Sequence, residues 1–253
     1  MESANVVGYQ TFDLAAPGPH LLAVSWTAPA DTDGKADLNK IMDTSKLTSV
    51  DSTGDIMGDS IKTWDVGSGW GKTYYYINQP DFNYTDDVTG ELVDYTDTWM
   101  DADWVPGCKL DPGQAFWFYP KAAIVGFTFA GQVAQSAPTM TLASGPNLIA
   151  NPIPAVLDLA DATQVVITGK TSVDETGDIM GDSIKTWTVG SGWGKTYYYI
   201  NQPDFNYTDD VTGKLVDYTD TWMDADWVPG GTAISAGAGF WYYAKTAGVQ
   251  FQF

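Results

Sequence analysis

The chain has 253 residues, of which 32 are acidic and 12 are lysine, with no arginine and one cysteine. Its net charge of −20 disfavours nucleic acid and anionic lipid surfaces as partners, and without arginine forks phosphate or carboxylate substrates are not expected. A hydrophobic content of 44% indicates a folded chain, and no stretch approaches the roughly 18 apolar residues of a membrane helix. The single cysteine excludes an internal disulfide.

Short runs of Val, Tyr, Trp, Phe and Thr, separated by Gly, Pro, Asn and Asp, predict a chain of β-strands. The only predicted helices are short, at Asp37–Met42 and Asp158–Val165, and loops are the alternative for both. Seven strands in about 120 residues, twice over, favour an all-β chain of two tandem β-sandwich or barrel-like domains. In the first half we predict strands at Val6–Leu14, His20–Trp26, Ser60–Val66, Thr73–Ile77, Thr98–Trp104, Ala115–Tyr119 and Ile124–Gly131.

The chain consists of two similar halves. Residues 48–107 recur at 171–230 with three differences over 60 positions, and the similarity fades in the flanking segments. This repeat predicts two domains, 1–134 and 138–253, with a boundary near Gln135–Pro138. Recent copying of the segment and a need for two matching surfaces both explain the near identity. The three differences exchange polar or charged groups, as expected for positions facing solvent: Ser52/Glu175, Asp65/Thr188 and Glu91/Lys214.

Three segments of the second half, with their counterparts in the first, carry a resemblance to a known kind of protein. They are "GPNLIANPI" (145–153), "GDSIKTW" (181–187) and "GAGFWYY" (237–243). Together they resemble a repeated all-β unit of secreted bacterial surface proteins. The resemblance implies a fold and a surface location, and it implies no reaction. No export signal is visible at the start of the sequence, which fits either a cytosolic protein or a form whose signal has been removed. The composition, rich in Gly, Asp, Thr and aromatic residues and without Arg, favours the second, so we expect an extracellular or cell-surface protein.

Catalytic machinery is hard to assemble from this sequence, and we expect no enzyme. His20 is the sole histidine and its counterpart is Asn147, while Cys108 is matched by Gly231. A serine or cysteine triad would therefore depend on His20, and a zinc site needs more histidine and cysteine ligands than the chain has. A pair of carboxylates is the one remaining catalytic alternative. The "VGSGWGKT" segment at 66–73 lacks the first glycine of a phosphate-binding loop and is followed by a strand where that loop needs a helix.

Calcium is the one cofactor that the sequence suggests, because hard oxygen ligands are abundant. The segment "DTDGKADLN" at 31–39 resembles a calcium loop but lacks its glycine and closing glutamate at the required spacing. The segment "DDVTGELVD" predicts a hairpin that brings aspartates together, and a solvated acidic surface is the alternative. The metal candidates are Asp86, Asp87 and Asp94, with their copies Asp209, Asp210 and Asp217.

Aromatic residues give the clearest functional indication. The repeated segments 53–107 and 176–230 hold 18 of the 25 Trp and Tyr residues. Adjacent tyrosines in "TYYYIN" point to opposite faces of a strand, so some face away from the core and can form a contact surface. Some of the aromatic residues must belong to the core, and Trp64, Trp99 and Trp104 are assigned to the sandwich interior. The alternative to a contact surface is a thick aromatic core or a second hydrophobic layer. The predicted contact surface comprises Trp70, Tyr74, Tyr75, Tyr76, Phe82 and Tyr84, with their copies Trp193, Tyr197, Tyr198, Tyr199, Phe205 and Tyr207.

These observations favour a secreted structural protein that assembles with copies of itself into a filament or surface layer. Head-to-tail contacts between similar units do not close and give open fibres. The terminal segments "NVVGYQTFDL" (5–14) and "VQFQF" (249–253) are strand-like and suited to pairing with a neighbour's sheet edge. The alternative is a bivalent carbohydrate-binding or adhesive module, in which aromatic platforms ringed by Asp and Asn bind sugar and the duplicate site adds avidity.

Overall fold

The computed structural model describes residues 7–24, 26–27, 34–54, 57–111, 113–133, 139–174, 180–188, 191–213 and 215–253. In this part of the chain the structure is almost entirely β, which confirms the predicted fold class. One four-residue helix, α1 (Leu38–Ile41), is capped by the Asp37 side chain, and no described helix is long and apolar enough to cross a membrane. The predicted boundary near Gln135–Pro138 lies outside the described residues.

Among the described residues the first half contains twelve strands. Six of the seven predicted strands recur with adjusted ends, and the seventh, His20–Trp26, corresponds to two strands, His20–Ala23 and Trp26–Thr27. The largest adjustments are an earlier start of the strand at Thr73–Ile77 and an earlier end of the strand at Thr98–Trp104. The strands are β1 (Val7–Leu14), β2 (His20–Ala23), β3 (Trp26–Thr27), β4 (Ala36–Asp37), β5 (Ser60–Asp65), β6 (Gly69–Ile77), β7 (Tyr84–Thr85), β8 (Leu92–Val93), β9 (Thr98–Asp101), β10 (Lys109–Leu110), β11 (Ala115–Tyr119) and β12 (Ile124–Val133).

The described part of the second half contains twelve further strands. A helix predicted at Asp158–Val165 is absent, because this segment forms the end of a strand and then turns in which the Asp161 carboxylate accepts from the backbone N–H of Thr163. The strands are β13 (Thr139–Thr141), β14 (Gly145–Ala150), β15 (Leu157–Asp158), β16 (Val166–Thr168), β17 (Ser183–Thr188), β18 (Gly192–Ile200), β19 (Tyr207–Thr208), β20 (Leu215–Val216), β21 (Thr221–Met223), β22 (Ala233–Ile234), β23 (Gly239–Ala244) and β24 (Gln250–Gln252).

Both halves arrange their strands in the same way. A five-stranded antiparallel sheet has the order β2-β11-β5-β6-β9 in the first half and β14-β23-β17-β18-β21 in the second. A three-stranded sheet has the orders β1-β12-β3 and β13-β24-β16. Short pairs, β7 with β8 and β19 with β20, project from each half as hairpins. No sheet of the described residues closes into a barrel, so the sandwich alternative fits the structure.

In each half the hydrophobic core lies between the five-stranded and the three-stranded sheet. Alternate residues of β11 point inward, so that Phe116 and Phe118 meet Phe127 and Phe129 of β12. The rings of Phe118 and Phe127 stack with centroids 5.0 Å apart. In the second half Phe251 of β24 fills the same place against Phe240 and Tyr242. Two sheets with apolar inner faces form a β-sandwich core.

The two halves contact each other through the outer faces of their five-stranded sheets. Trp64 Nε1 donates to the carbonyl of Pro146 at 3.1 Å, and Trp187 Nε1 donates to Pro19 at 3.1 Å. The apolar residues buried at this interface are Leu21, Ala23, Ala115, Trp117, Leu148 and Ala150.

The backbone contacts between the halves repeat the same symmetry. The N–H of Ala23 donates to Gly237 at 2.8 Å, and the N–H of Ala150 donates to Gly113 at 2.7 Å. Each contact thus recurs with the halves exchanged, which defines an isologous interface with approximate two-fold symmetry. Such a contact closes on itself. It differs from the head-to-tail contact between units that the filament hypothesis assumed, so any polymer needs another surface.

The two terminal strands differ in whether they have an unpaired edge. β24 lies between β13 and β16 and buries Phe251 completely, so the C-terminal strand already has a partner on each side. β1 lies at the edge of its sheet and pairs with β12 alone among the described strands. Of the two terminal segments considered for strand exchange, the C-terminal one is therefore committed to its own sheet.

Candidate functional site: an aromatic groove repeated in each half

The predicted contact surface divides into buried and exposed residues. Tyr76 and Tyr199 are buried, and the hydroxyl of Tyr76 donates to Asp97 at 2.5 Å, so their assignment to the surface was wrong. Tyr74 packs against the first core and Tyr75 against a small cluster on the other face of the sheet. The same alternation in β18 places Tyr197 against the second core and Tyr198 against the matching cluster, because successive side chains of a strand point to opposite faces.

The tryptophans at the start of β6 and β18 lie beside the interface between the halves. Trp70 is half exposed and contacts Trp64 and Trp241, with ring centroids 5.3 and 6.4 Å away. The Lys62 ammonium lies 4.4 Å from the centroid of the Trp70 ring. Trp193 makes the matching contacts in the other half, to Trp187 at 5.0 Å and Trp117 at 5.7 Å. These residues mainly stabilise the interface.

A groove of about 400 Å³ lies at the far edge of the first five-stranded sheet. Its aromatic wall comprises Phe82, Tyr84, Tyr95 and Trp104. Tyr84 and Tyr95 stack with centroids 6.4 Å apart, and Trp104 meets the edge of Tyr95 at 6.1 Å. The opposite wall is polar and consists of the segment from Asp51 to Gly54 together with Gln79. We call this cavity the aromatic groove.

The hairpin of β7 and β8 holds the tyrosines of the aromatic groove in place. The side chain of Asn83 accepts from the N–H of Tyr95 at 2.6 Å and donates to Asp94 at 2.7 Å, which ties the two strands together. The N–H of Gln79 also donates to the carbonyl of Tyr95 at 2.7 Å. At the tip, the Asp86 carboxylate accepts the N–H of Thr89 at 2.7 Å and closes the turn.

Trp104 reaches the aromatic groove because β9 ends early. One oxygen of the Asp101 carboxylate accepts from the N–H of Asp103 and of Val105, both at 3.0 Å, and the other accepts from the Lys72 ammonium. These bonds turn the chain after Asp101 and place Trp104 at φ 61°, in the left-handed region that bulky residues rarely adopt. Strain of this kind is found where the surrounding structure fixes a functional geometry.

The second half repeats the aromatic groove in the part of it that the structure describes. Tyr207 and Tyr218 stack at 6.4 Å, and Tyr218 meets Trp227 at 5.8 Å. Trp227 also has φ 61°, and Asp224 accepts from the N–H of Asp226 and Val228 and from the Lys195 ammonium. The segment corresponding to the polar wall extends into residues 175–179, outside the described residues.

The two aromatic grooves are separate sites. The lining residues of the first groove all belong to the first half, and β9, the strand before Trp104, is an edge strand of its sheet. In the second half β21, the strand before Trp227, is likewise an edge strand. Each half therefore carries its own groove next to the edge of its five-stranded sheet.

The predicted calcium ligands do not converge. Asp86 and its copy Asp209 each accept three hydrogen bonds within their own hairpin turns, and Asp94 bonds to Asn83 and Thr96. Bonds from Thr89 and Thr96 lower the pKa values of Asp86 and Asp94, because each bond favours the charged carboxylate. In the described part of the chain no three carboxylate, histidine or cysteine side chains are placed to hold a metal ion. The loop candidates Asp31 and Asp33 lie outside it, and calcium stays a prediction.

The residues considered for catalysis have structural surroundings. His20 is buried and its Nε2 lies 2.9 Å from the carbonyl oxygen of Ala16. Cys108 is buried as a free thiol, and desolvation raises its pKa. Neither side chain lines the aromatic groove.

Two members of the groove escaped the sequence analysis. Trp104 was assigned to the core together with Trp99, yet it is 49% exposed whereas Trp99 is fully buried. The odd spacing between them, and the "DAD" segment that can form an aspartate-closed turn, were the available signals. Tyr95 carried no comparable signal.

No family model, curated protein or solved structure matches the chain.

Proposed function

We propose that this chain is a bivalent binding module for a neutral glycan, with one aromatic groove in each half as its binding site. The observation that carries this proposal is the fixed juxtaposition of Tyr84, Tyr95 and Trp104 in a groove with a polar wall, whose aromatic part is repeated in the second half at Tyr207, Tyr218 and Trp227. Aromatic faces bury the apolar face of a sugar ring, while polar groups bond to its hydroxyls. An anionic glycan is disfavoured by the net charge of −20.

Pre-organisation supports the same proposal. Ligand affinity rises when the side chains that contact the ligand are already held in their bound positions. The carboxylate of Asp101 and the amide of Asn83 hold the tryptophan and the tyrosines of the groove in this way. The chain carries one such groove in each half, so it is suited to cross-linking separate glycan strands, which fits the expected extracellular location.

Binding of neutral polysaccharides tests the proposal directly. We expect soluble glucans, mannans or chitin fragments to change tryptophan fluorescence, and the double variant Trp104→Ala with Trp227→Ala to lose affinity by about tenfold or more. Tyr9→Ala is the matched control, because Tyr9 is exposed to a larger extent but lies on β1, outside the groove. Binding that the double variant retains in full would refute the proposal.

Self-assembly is the second candidate, and the exposed hairpin tips favour it. Val88 and Leu92 are 94% and 62% exposed, and their copies Val211 and Leu215 are equally exposed. Apolar tips presented twice on one chain can link copies into a linear polymer, because each chain then offers two identical contacts.

Negative-stain microscopy of the purified chain distinguishes this candidate. Filaments that disappear in the variant Val88→Asp with Val211→Asp support it, and monodisperse particles at high protein concentration count against it. Deletion of residues 1–7 is expected to abolish assembly only if the N-terminal strand pairs with a neighbouring chain.

A further inference from the structure

Next to each aromatic groove lies a small apolar pocket behind the tryptophan. In the first half it measures about 170 Å³ and in the second about 70 Å³. The smaller pocket still has room for about two water-sized groups, since water occupies about 30 Å³ in the liquid. The lining residues correspond between the halves: Val50, Met57, Tyr75, Ile77, Asp101, Ala102 and Trp104 in one, and Val173, Met180, Tyr198, Ile200, Met223, Asp224, Ala225 and Trp227 in the other.

Trp104 separates the pocket from the aromatic groove. It lines both cavities, so a sugar ring bound in the groove can extend a substituent around the indole into the pocket. Apart from the tyrosine hydroxyl, the indole N–H of Trp104 and the Asp101 carboxylate, the lining side chains are apolar. A hydroxyl placed among the apolar side chains would lose its hydrogen bonds to water without replacement.

The carboxylate of Asp101 is the one charged group in the pocket, and it has capacity for another donor. It accepts bonds from the N–H of Asp103, the N–H of Val105 and the Lys72 ammonium. A carboxylate offers about four lone-pair sites, so these three bonds leave one. The pocket therefore suits a substituent with a small apolar end and one N–H donor.

We propose that the glycan bound by this chain carries N-acetyl groups, with the acetamido methyl in the apolar pocket and the acetamido N–H bonded to the Asp101 carboxylate. The inference rests on the proposed function of the aromatic groove and names its ligand class. A 6-deoxy sugar carries its methyl group directly on the ring, without an N–H between them, and an unsubstituted hexose has hydroxyl donors but no methyl group to fill the apolar part of the pocket. Asp224 has the same three partners in the second half, so both grooves take the same ligand.

Titration calorimetry with two oligosaccharides of equal length tests this inference. A chito-oligosaccharide carries an acetamido group on each ring, and a cello-oligosaccharide has the same backbone without it. The 2-hydroxyl of the second ligand can donate in place of the amide N–H, so the difference is chiefly the burial of one methyl group, which corresponds to about a fourfold higher affinity for the first ligand. We expect the variant Ala102→Leu with Ala225→Leu to reduce the affinity for the chito-oligosaccharide about tenfold, because the larger side chains fill both pockets.

A second pair of variants controls for misfolding of the turns that contain Ala102 and Ala225. Met57→Trp with Met180→Trp fills the pockets from positions that are already exposed, and the same loss is expected. Tyr9→Ala should leave both affinities unchanged. Equal affinity for the two ligands, or a preference that survives both pairs of variants, overturns the N-acetyl assignment but leaves the glycan-binding groove intact. Absence of binding to either ligand, together with no response to other neutral glycans, overturns both proposals.

Discussion

The interface between the halves makes a sharp prediction at Gly239. A β-carbon added there would lie 2.6 Å from the Cβ of Ala115 and 3.0 Å from the Cγ of Leu21, both in the other half. Separations this short force the two sheets apart. The change Gly239→Ala therefore tests the interface with a single methyl group and without altering any polar contact.

The expected loss of stability is about 1–3 kcal/mol, the usual result of adding a methylene to a close-packed site. For a chain of this size each kcal/mol lowers the melting temperature by roughly 2–4 °C. Thermal unfolding followed by circular dichroism measures the shift. Ala115→Gly provides the matched test, because it removes the atom that the new methyl group meets.

We expect the double variant Ala115→Gly with Gly239→Ala to be more stable than the sum of the single effects by about 1 kcal/mol, since residues in contact do not contribute additively. A melting temperature unchanged by Gly239→Ala would refute the close approach of the sheets. Strictly additive effects would place the two residues apart and refute the isologous interface.

Three further predictions concern the core, the cysteine and pH. Phe251→Ala should lower the free energy of unfolding by about 3–5 kcal/mol in a urea titration, and a loss below 1 kcal/mol would contradict its central position. Cys108 should react with a thiol reagent at pH 8 only after unfolding, because burial raises its pKa. The Lys72 ammonium lowers the pKa of Asp101 below its ordinary value of 3.8, so the stability that this carboxylate adds is present above that pH and lost as pH falls through the lowered pKa. Trp104 fluorescence should change in that acid range, and a change near neutral pH would contradict the assignment.

Local sequence patterns determined the strands and the repeat. Alternation and turn residues correctly identified six long strands of the first half to within a few residues at each end. The seventh predicted strand, His20–Trp26, is two strands in the structure. The two halves follow the same strand order, as the repeat and its fainter similarity in the flanking segments lead one to expect. Strand identity depends on neighbours along the chain, and this information is present in the sequence.

Only the tertiary structure decided which aromatic residues are exposed. Tyr76 and Trp99 have sequence neighbours much like those of Tyr84 and Trp104. The first two side chains are nevertheless buried, and the last two are about half exposed. The difference arises because β9 ends at Asp101, whose carboxylate bonds to two backbone N–H groups and a lysine that is distant in sequence. A bond to Lys72 cannot be read from the local pattern.

The relation between the halves likewise depended on three-dimensional packing. A repeated sequence states that two similar units exist, and it does not distinguish a head-to-tail contact from an isologous one, because both use the same residues in different pairings. The hydrogen bonds from Trp64 to Pro146 and from Trp187 to Pro19 show that the contact between the halves is the isologous one. The sequence by itself therefore determined what the chain presents twice. The packing of the two sheets determined which aromatic residues the halves bury against each other and left Trp104 and Trp227 about half exposed in the aromatic grooves.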